Sequence, residues 1–179
     1  MATLSSFLTG AQWLKRGPQT AAQRLYASYA STIASSNYSR GGKIPAFYAA
    51  DAVFHNQNNA DYHGKEIWPW IKALFDELGA LKHDFTHIWE VQNDDGSVYL
   101  ISHLTRHIWT PGNNSDKPTV SVPFMWVSLI KPSNSVDAVD GMQFQEVWIY
   151  WDTNLLRPFY PEDALVFRTH NTSAIKAKL

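Results

Sequence analysis

Four histidines flank the acidic turn Asp94-Asp95-Gly96: His83 and His87 precede it, and His103 and His107 follow it. The histidine side chain has a reference pKa of about 6.5, so it can take and give protons near neutral pH. Three imidazoles can also bind zinc or iron, and a single buried histidine is most often a hydrogen-bonded core residue. The two segments therefore predict acid–base chemistry, with a metal site and a structural role as the alternatives.

The turn between the two segments decides which side chains meet. Asp94-Asp95-Gly96 has the pattern of a three-residue hairpin loop, a type I turn followed by glycine in the left-handed region. Regular pairing away from such a loop sets His83 against His107 and His87 against His103, so that all four share one face. The same face carries the aromatic residues Phe85, Trp89, Tyr99 and Trp109. We expect helices to cover this face and to close a pocket against it.

The opposite face of the same two strands is mixed in character. It carries Asp84 and Arg106 together with Leu100, Leu104 and Ile108. Such a face is too apolar to be simply solvated, so we expect it to bury a second copy of the chain in a homodimer.

The last predicted strand ends in a carboxylate among aromatic rings. Alternation places these residues on one side of it: Phe144, Glu146, Trp148, Tyr150 and Asp152. Loss of hydration beside rings raises the pKa of a carboxyl group, an effect that suits proton transfer. We therefore predict an acid–base role for Asp152, and the alternative is that it caps a turn or helix after the strand.

Two periodicities divide the chain into elements. Helical spacing of apolar residues predicts helices over 20–36, 44–50 and 64–78, the last stopped by Gly79. Alternation predicts an extended segment over 52–57 and strands over 81–92, 97–110, 119–131 and 142–152. Helices followed by a run of strands indicate an α+β domain with an antiparallel sheet over residues 20–157. Residues 1–19 are expected to form a loose arm, and residues 158–179 an extension.

Composition excludes several classes of protein. Of the 179 residues, 45% are hydrophobic and 17% are charged, which is typical of a globular chain rather than a disordered one. A net charge of −1 gives no positive field for nucleic acid, and the absence of cysteine excludes disulfides, thiol nucleophiles and zinc–thiolate sites. No stretch is long and apolar enough to cross a membrane, so we expect a soluble, cytoplasmic protein.

Three phrases of the sequence, taken together, resemble one protein family. They are Phe47-Tyr-Ala-Ala-Asp-Ala-Val-Phe-His-Asn56, Tyr62-His-Gly-Lys-Glu-Ile-Trp68 and Glu146-Val-Trp-Ile-Tyr-Trp-Asp152. Their order and distances resemble the SnoaL-like branch of the cone-shaped α+β superfamily, which contains nuclear transport factor, ketosteroid isomerase and scytalone dehydratase. The resemblance covers about residues 20–157.

The resemblance implies a curved antiparallel sheet forming a cone-shaped half-barrel, with N-terminal helices closing a deep hydrophobic pocket. It also implies an enzyme that works without cofactor or metal, often as a dimer. SnoaL-like cyclases use an aspartate, whose position Asp152 matches. Scytalone dehydratase uses two histidines on neighbouring strands, and His83 and His107 resemble that pair.

These observations lead to one functional hypothesis and two alternatives. We expect a lyase, isomerase or cyclase acting on a hydrophobic, carbonyl-bearing small molecule such as a polyketide or terpenoid intermediate. The predicted catalytic residues are His83, His107 and Asp152. The predicted substrate-binding residues are Asn56, Phe85, His87, Trp89, Tyr99, His103, Trp109, Trp148 and Tyr150. The alternatives are a binding module of the same fold, favoured if aromatic side chains fill the pocket, and a histidine-bound metal enzyme.

Overall fold

A computed structural model describes residues 2–35 and 46–168, which fold around one sheet. Its strands are β1 (Thr3–Thr9), β2 (Tyr48–Asn56), β3 (Ala60–His63), β4 (Ala80–Gln92), β5 (Val98–Trp109), β6 (Val120–Pro132) and β7 (Met142–Trp151). They lie in the order β1-β4-β5-β6-β7-β2-β3, and all neighbours are antiparallel except β2 and β7, which run parallel. The predicted α+β class is confirmed.

Helices cover one face of this sheet. They are α1 (Gly10–Arg16), α2 (Ala21–Ala34) and α3 (Ile67–Leu78), with 3-10 turns over Gly64–Glu66, Thr153–Leu156 and Leu165–Phe167. The Thr20 side chain caps α2 by accepting from the Gln23 amide, and α3 ends at Gly79, whose φ of 90° favours glycine. The buried stripe of α2 includes Leu25, Tyr26, Tyr29 and Ile33. We call the helix-covered face of the sheet the inner face and the other the outer face.

The hairpin between β4 and β5 has the predicted turn. Gly96 has a φ of 81°, and the Asn93 amide donates to the Ser97 carbonyl at 2.9 Å. The Asp95 carboxylate accepts from the Ser97 amide at 2.9 Å, which rigidifies the loop. Close to the turn the predicted register is therefore confirmed.

Further from the turn, a bulge changes the register. Thr86 is an extra residue in β4, between two regular runs of pairing with β5. Because side chains alternate, an extra residue moves those beyond it to the opposite face. His83 consequently pairs with Arg106 on the inner face, and not with His107 as predicted. The other three histidines lie on the outer face, so the prediction that all four share one face is wrong: His87, His103 and His107.

The two faces are also reversed in character relative to the prediction. On β5 the buried residues are Val98, Leu100, Ser102, Leu104, Arg106 and Ile108. The partly exposed outer face carries Trp89, Tyr99, Ile101, Trp109 and Trp148. Aliphatic side chains take the fully buried positions, whereas amphipathic rings tolerate half-exposure. The face predicted to bury a second subunit thus lies under the helices, and the homodimer stays a prediction.

The N-terminal residues are ordered, contrary to the predicted loose arm. Strand β1 pairs along β4 at the edge of the sheet. Thr9 and Gln12 form a reciprocal capping box at the start of α1. Gly10 sits so close to the bulge that an added Cβ would lie 1.9 Å from the Phe85 carbonyl oxygen. Sequence periodicity missed this segment because each of its elements is short.

The structure also bears on the predicted helix over 44–50 and on the extension after residue 157. Residues 48–50 begin strand β2 rather than forming the predicted helix over 44–50, and residues 44–45 lie outside the described residues. In the extension after residue 157, the Tyr160 hydroxyl donates to the Leu78 carbonyl at 2.6 Å. The Leu165 amide donates to the Glu77 carboxylate at 2.7 Å. The described part of the extension therefore packs against the end of α3.

Candidate functional site

A hydrogen-bonded pair of basic side chains lies on the inner face. The Arg106 Nε–H donates to His83 Nε2 at 3.2 Å, and the two residues are cross-strand partners on β5 and β4. Since the guanidinium can only donate, Nε2 must be the acceptor. A neutral His83 therefore carries its proton on Nδ1.

Burial holds His83 in its neutral form. Loss of hydration, together with the nearby positive charge of Arg106, lowers the pKa of His83 to about 3. Near neutral pH the side chain is thus a hydrogen-bond donor through Nδ1–H. A neutral imidazole in this state can polarise a carbonyl group instead of acting as a strong base.

Arg106 itself is surrounded by aromatic rings. Its guanidinium carbon lies 3.9 Å from the centroid of Phe124, 5.2 Å from that of Trp151 and 5.3 Å from that of Phe75. Only 5% of the residue is exposed, and burial lowers the pKa of Arg106 to about 10, so the group remains charged at neutral pH. Its positive charge lies in the core of the cone.

A cavity of about 280 Å³ opens beside His83, between α2 and β4. Its lining includes Trp13, Ala27, Ala30, Leu81, His83 and Phe85. A larger cavity of about 910 Å³ lies elsewhere, lined in part by Phe47, Tyr48, His63, Lys65 and Trp68. We place the candidate site at the smaller cavity because His83, the partner of Arg106, lies on its wall.

Tyrosines of α2 add polar groups to the same interior. Burial raises the pKa of Tyr26 and of Tyr29 above the usual value. Both hydroxyls therefore stay protonated and can donate. The sequence prediction of the site missed Arg106 and Tyr26. One available signal was the position of Arg106, which shares its side of β5 with the aliphatic Leu104 and Ile108.

Aromatic side chains fill the centre of the fold. The Trp126 ring lies 5.0 Å from Tyr29, 5.6 Å from Tyr26 and 5.5 Å from Phe144, measured between centroids. Phe54 also packs against Trp126, with 6.0 Å between the ring centroids. The cavity beside His83 therefore lies next to this cluster, and none of the clustered rings lines it.

Of the predicted site residues, only Phe85 accompanies His83 in the cavity. His107 lies on the outer face, with Nδ1 2.8 Å from Ser121 Oγ and Nε2 3.0 Å from Asp84 Oδ2. His87 stacks on Phe7, also on the outer face, at 5.6 Å. The other predicted residues of this face are Trp89, Tyr99, His103, Trp109, Trp148 and Tyr150.

Asp152 and Asn56 also lie away from His83. The Asp152 carboxylate is exposed and accepts from the Asn154 amide at 3.0 Å, capping the turn Thr153–Leu156. Asp152 thus has the capping contact that the sequence analysis gives as the alternative to an acid–base role. Asn56 lines a separate cavity of about 240 Å³ with Trp148 and Tyr150. The structure does not bring the three predicted catalytic residues together, and their roles stay predictions.

Residues 2–35 and 46–168 contain neither a metal-binding cluster nor a membrane-spanning helix. In this part of the chain, no group of three or more histidine, aspartate or glutamate side chains is placed to hold a metal ion. Within the same residues, no helix is both long and apolar enough to span a membrane.

Solved structures share this fold. One is ActVI-ORFA from Streptomyces coelicolor, at 14% identity and a TM-score of 0.54, covering 74% of this chain and 95% of that one. Another, from Shewanella denitrificans, is described as a SnoaL-like polyketide cyclase, at 16% identity and a TM-score of 0.52, covering 78% and 96%. A third is a hexachlorocyclohexane dehydrochlorinase from Novosphingobium barchaimii, at 12% identity and a TM-score of 0.57, covering 74% and 84%.

No family model matches the chain, and no curated protein matches it significantly. The likeness is therefore one of fold. The chain has the cone-shaped α+β fold of the SnoaL-like proteins, with a curved, unclosed sheet packed against helices, as the sequence resemblance implied.

Proposed function

We propose that this chain is a cofactor-independent enzyme of the lyase, isomerase or cyclase type, acting on a hydrophobic, carbonyl-bearing small molecule such as a polyketide or terpenoid intermediate. The observation that carries the proposal is the hydrogen-bonded His83–Arg106 pair, whose histidine lines a largely apolar cavity. Perturbed, hydrogen-bonded titratable groups in a cleft are typical of functional sites.

The proposed chemistry is stabilisation of an enolate. The Nδ1–H of neutral His83 would donate to the substrate carbonyl oxygen, and the charge of Arg106 would favour the negative charge that develops there. A carbon next to an activated carbonyl could then release its proton to water in the cavity. This proposal uses His83 alone of the three predicted catalytic residues, because the other two lie elsewhere.

The comparisons support the type of reaction at a coarse level. The neighbours in fold include proteins described as a polyketide cyclase and as a dehydrochlorinase, which are cyclase and lyase activities. A fold shared at such low identity is compatible with many reactions, so the site must carry the specific proposal.

Hydrogen–deuterium exchange tests the proposal directly. The protein is incubated with 2-tetralone or benzoylacetone in deuterated water, and exchange at the carbon next to the carbonyl is followed by proton NMR. We expect exchange above the rate in buffer alone, and loss of the excess rate in His83→Ala. If the wild-type protein accelerates exchange of neither compound, the enolate mechanism is wrong.

A second candidate function is a non-catalytic binding module. The specific observation in its favour is the ring cluster around Trp126, which fills the centre where a deep pocket was expected. The two functions separate in the same experiment, because a binding module would shift ligand resonances without accelerating exchange.

A further inference from the structure

A cleft opens where the parallel strands β2 and β7 separate. Their pairing ends at His55, opposite Trp148. Beyond this point β2 turns into β3 through Asn59, whose φ of 61° is left-handed, while β7 continues beside β6. The cavity of about 240 Å³ lies between these diverging segments, and it shares no described lining residue with the cavity beside His83.

Two aromatic rings form the flat part of the wall of this cavity. Trp148 stacks on His55, with 5.1 Å between the ring centroids and 14° between the ring planes. Tyr150 follows on the same side of β7 and is 53% exposed, so its ring is open to a ligand. The face of an aromatic ring carries partial negative charge, which attracts the weakly positive C–H groups of a saturated ring. This part of the wall therefore suits a ring-shaped ligand.

The rest of the wall offers hydrogen-bond donors and acceptors with little charge. His55 Nδ1 lies 2.9 Å from Asp61 Oδ1. Because an ionised carboxylate only accepts, Nδ1 carries the proton and Nε2 of the neutral ring is an acceptor. Asn56 Oδ1 accepts from the Gln57 backbone amide at 3.0 Å, which leaves Nδ2 of Asn56 as a donor. The described lining residues include no lysine or arginine, so the cavity is poorly suited to an anion.

The side-chain amide of Gln57 lacks a partner. Its Oε1 and Nε2 are both buried, and neither has a hydrogen bond within the described part of the chain. A buried amide in this state is unfavourable unless a water or a ligand meets it. Gln57 lines the same cavity, so rotation about its flexible side-chain bonds would turn the amide towards a ligand there.

We propose that this cavity binds a neutral, hydroxyl-bearing ring, that of a sugar. Each sugar hydroxyl both donates and accepts, so neighbouring hydroxyls match the mixture of Asn56 Nδ2, His55 Nε2 and the Gln57 amide. The C–H face of the sugar packs on Trp148 and Tyr150. The volume is below the roughly 300–1,000 Å³ of pockets for drug-sized ligands, which limits the ligand to a single sugar ring. This site is separate from the proposed enzyme site.

Saturation-transfer difference NMR tests the proposal. Aromatic protons of the protein are saturated, and transfer to the ring C–H protons of three probes is measured: the methyl glycosides of glucose, galactose and mannose. The last two each differ from the first in the orientation of one hydroxyl. We expect a saturable signal from at least one probe, with a dissociation constant on the order of 1 mM, as for a ligand of this size at ordinary efficiency.

Aromatic variants assign the binding to this cavity. Tyr150→Ala should weaken binding of the best probe about fivefold, because it removes one of the rings on which the sugar packs. Phe7→Ala is the matched control. Phe7 is another exposed ring of the outer face, but it lies on β1 at the far edge of the sheet, so its removal should leave the affinity unchanged.

Gln57→Leu separates a ligand contact from a structural role. We expect the probe to bind about tenfold more weakly, the effect of one lost hydrogen bond. Urea denaturation should show unchanged or higher stability, because the amide has no partner to lose. A residue with a merely structural role would show the reverse, a loss of stability at full affinity.

Three results would overturn the inference. They are the lack of a saturable signal from all three glycosides, full affinity in either Tyr150→Ala or Gln57→Leu, and tighter binding of choline, tested in the same way. The last result would make the cavity a site for a cation held by Asp61. None of these outcomes bears on the exchange assay, because the two cavities share no described lining residue.

Discussion

His83 and His107 have the same side chain on neighbouring strands, yet the fold gives them opposite environments. His83 lies half-buried on the inner face, accepts from Arg106, and has its pKa lowered to about 3 by loss of hydration. The His107 side chain is 20% exposed on the outer face, between Ser121 and Asp84. The single extra residue Thr86 separates them. The difference shows that the position relative to one bulge, and not the residue type, decides which histidine can meet a buried substrate.

The outer histidine has polar partners but no place for a reaction. Ser121, His107 and Asp84 form a line of hydrogen bonds that resembles a hydrolytic triad in composition. Acyl transfer also needs donors for the oxyanion, usually backbone amides. Here β5 lies between β4 and β6, and pairing on both sides engages the amides around His107. The inner pair, in contrast, places His83 on the wall of a cavity.

The largest expected effect separates the two histidines by activity. His83→Ala should slow deuterium exchange into the active ketone by a factor of about 10² or more, because it removes the donor to the developing oxyanion. His107→Ala is the matched control and should stay within about twofold of wild type. Equal losses in the two variants would mean that the outer face takes part in the reaction, and the comparison would be wrong.

Gly10 of α1 lies against the bulge that separates the two faces. Gly10→Ala would place a Cβ 1.9 Å from the Phe85 carbonyl oxygen, so α1 or the bulge must move. We expect the free energy of unfolding to fall by about 1–3 kcal/mol, the usual effect of overpacking, as measured by urea denaturation.

Ala11→Gly at the adjacent exposed position is the control for Gly10→Ala. It reduces helix propensity by at most about 1 kcal/mol and creates no clash. A Gly10→Ala protein as stable as wild type would show that the contact between α1 and the bulge adapts freely. The bulge would then not be held by α1.

The sequence predicted the four long strands of the sheet well, missed the short strands β1 and β3, and predicted the inner site poorly. Strands β4 to β7 and the turn at Gly96 follow from alternation and turn chemistry, which are local properties. Beside the bulge, Gly10 lies close to the Phe85 carbonyl, a contact between distant parts of the chain. The bulge does leave a local signal. The inward-facing positions of β4 change from odd to even residue numbers between Phe85 and Ile88.

The outer placement of so many rings was also beyond the sequence. Trp89 and Tyr99 are predicted to line a pocket because they share the apolar face of the hairpin, and Trp148 because it lies on the aromatic side of the last strand. Half-exposed positions suit amphipathic rings equally well. The role of Arg106 could not be predicted from composition, because charged residues are rarely buried. To predict that role one needs the pairing of β4 with β5 beyond the bulge.

Acid pH should reveal the buried histidine as a loss of stability. The pKa of His83 is about 3 in the folded protein and about 6.5 in an unfolded chain, so between these values only the unfolded chain binds the proton. The free energy of unfolding should therefore fall as the pH falls from about 6.5 towards 3. The decrease from this one group is up to about 1.4 kcal/mol per pH unit, or about 2 kcal/mol at pH 5.

Urea denaturation at pH 7 and pH 5 measures this slope. His83→Gln removes the titrating group, so its stability should depend less on pH than that of wild type by about this amount. His103→Gln on the outer face is the control and should keep the wild-type slope. The same slope in His83→Gln and in wild type would show that His83 is not buried in its neutral form.

The smallest expected effect lies on the outer face, at the carboxylate beside His107. Hydrogen bonds with Lys82 and His107 lower the pKa of Asp84, so any stabilisation is present above an unfolded pKa of about 3.9 and is lost as the pH falls through the folded value. Because the Asp84 side chain is 53% exposed, water and salt screen the interaction, and Asp84→Asn should reduce stability by at most about 0.5 kcal/mol at neutral pH.

The difference in stability between Asp84→Asn and wild type should shrink further when the urea titration is repeated in 1 M salt, where the screening length is roughly threefold shorter than at 0.1 M. A salt-independent loss above about 1 kcal/mol would mean that water does not reach this pair, and only a second surface covering the outer face could exclude it.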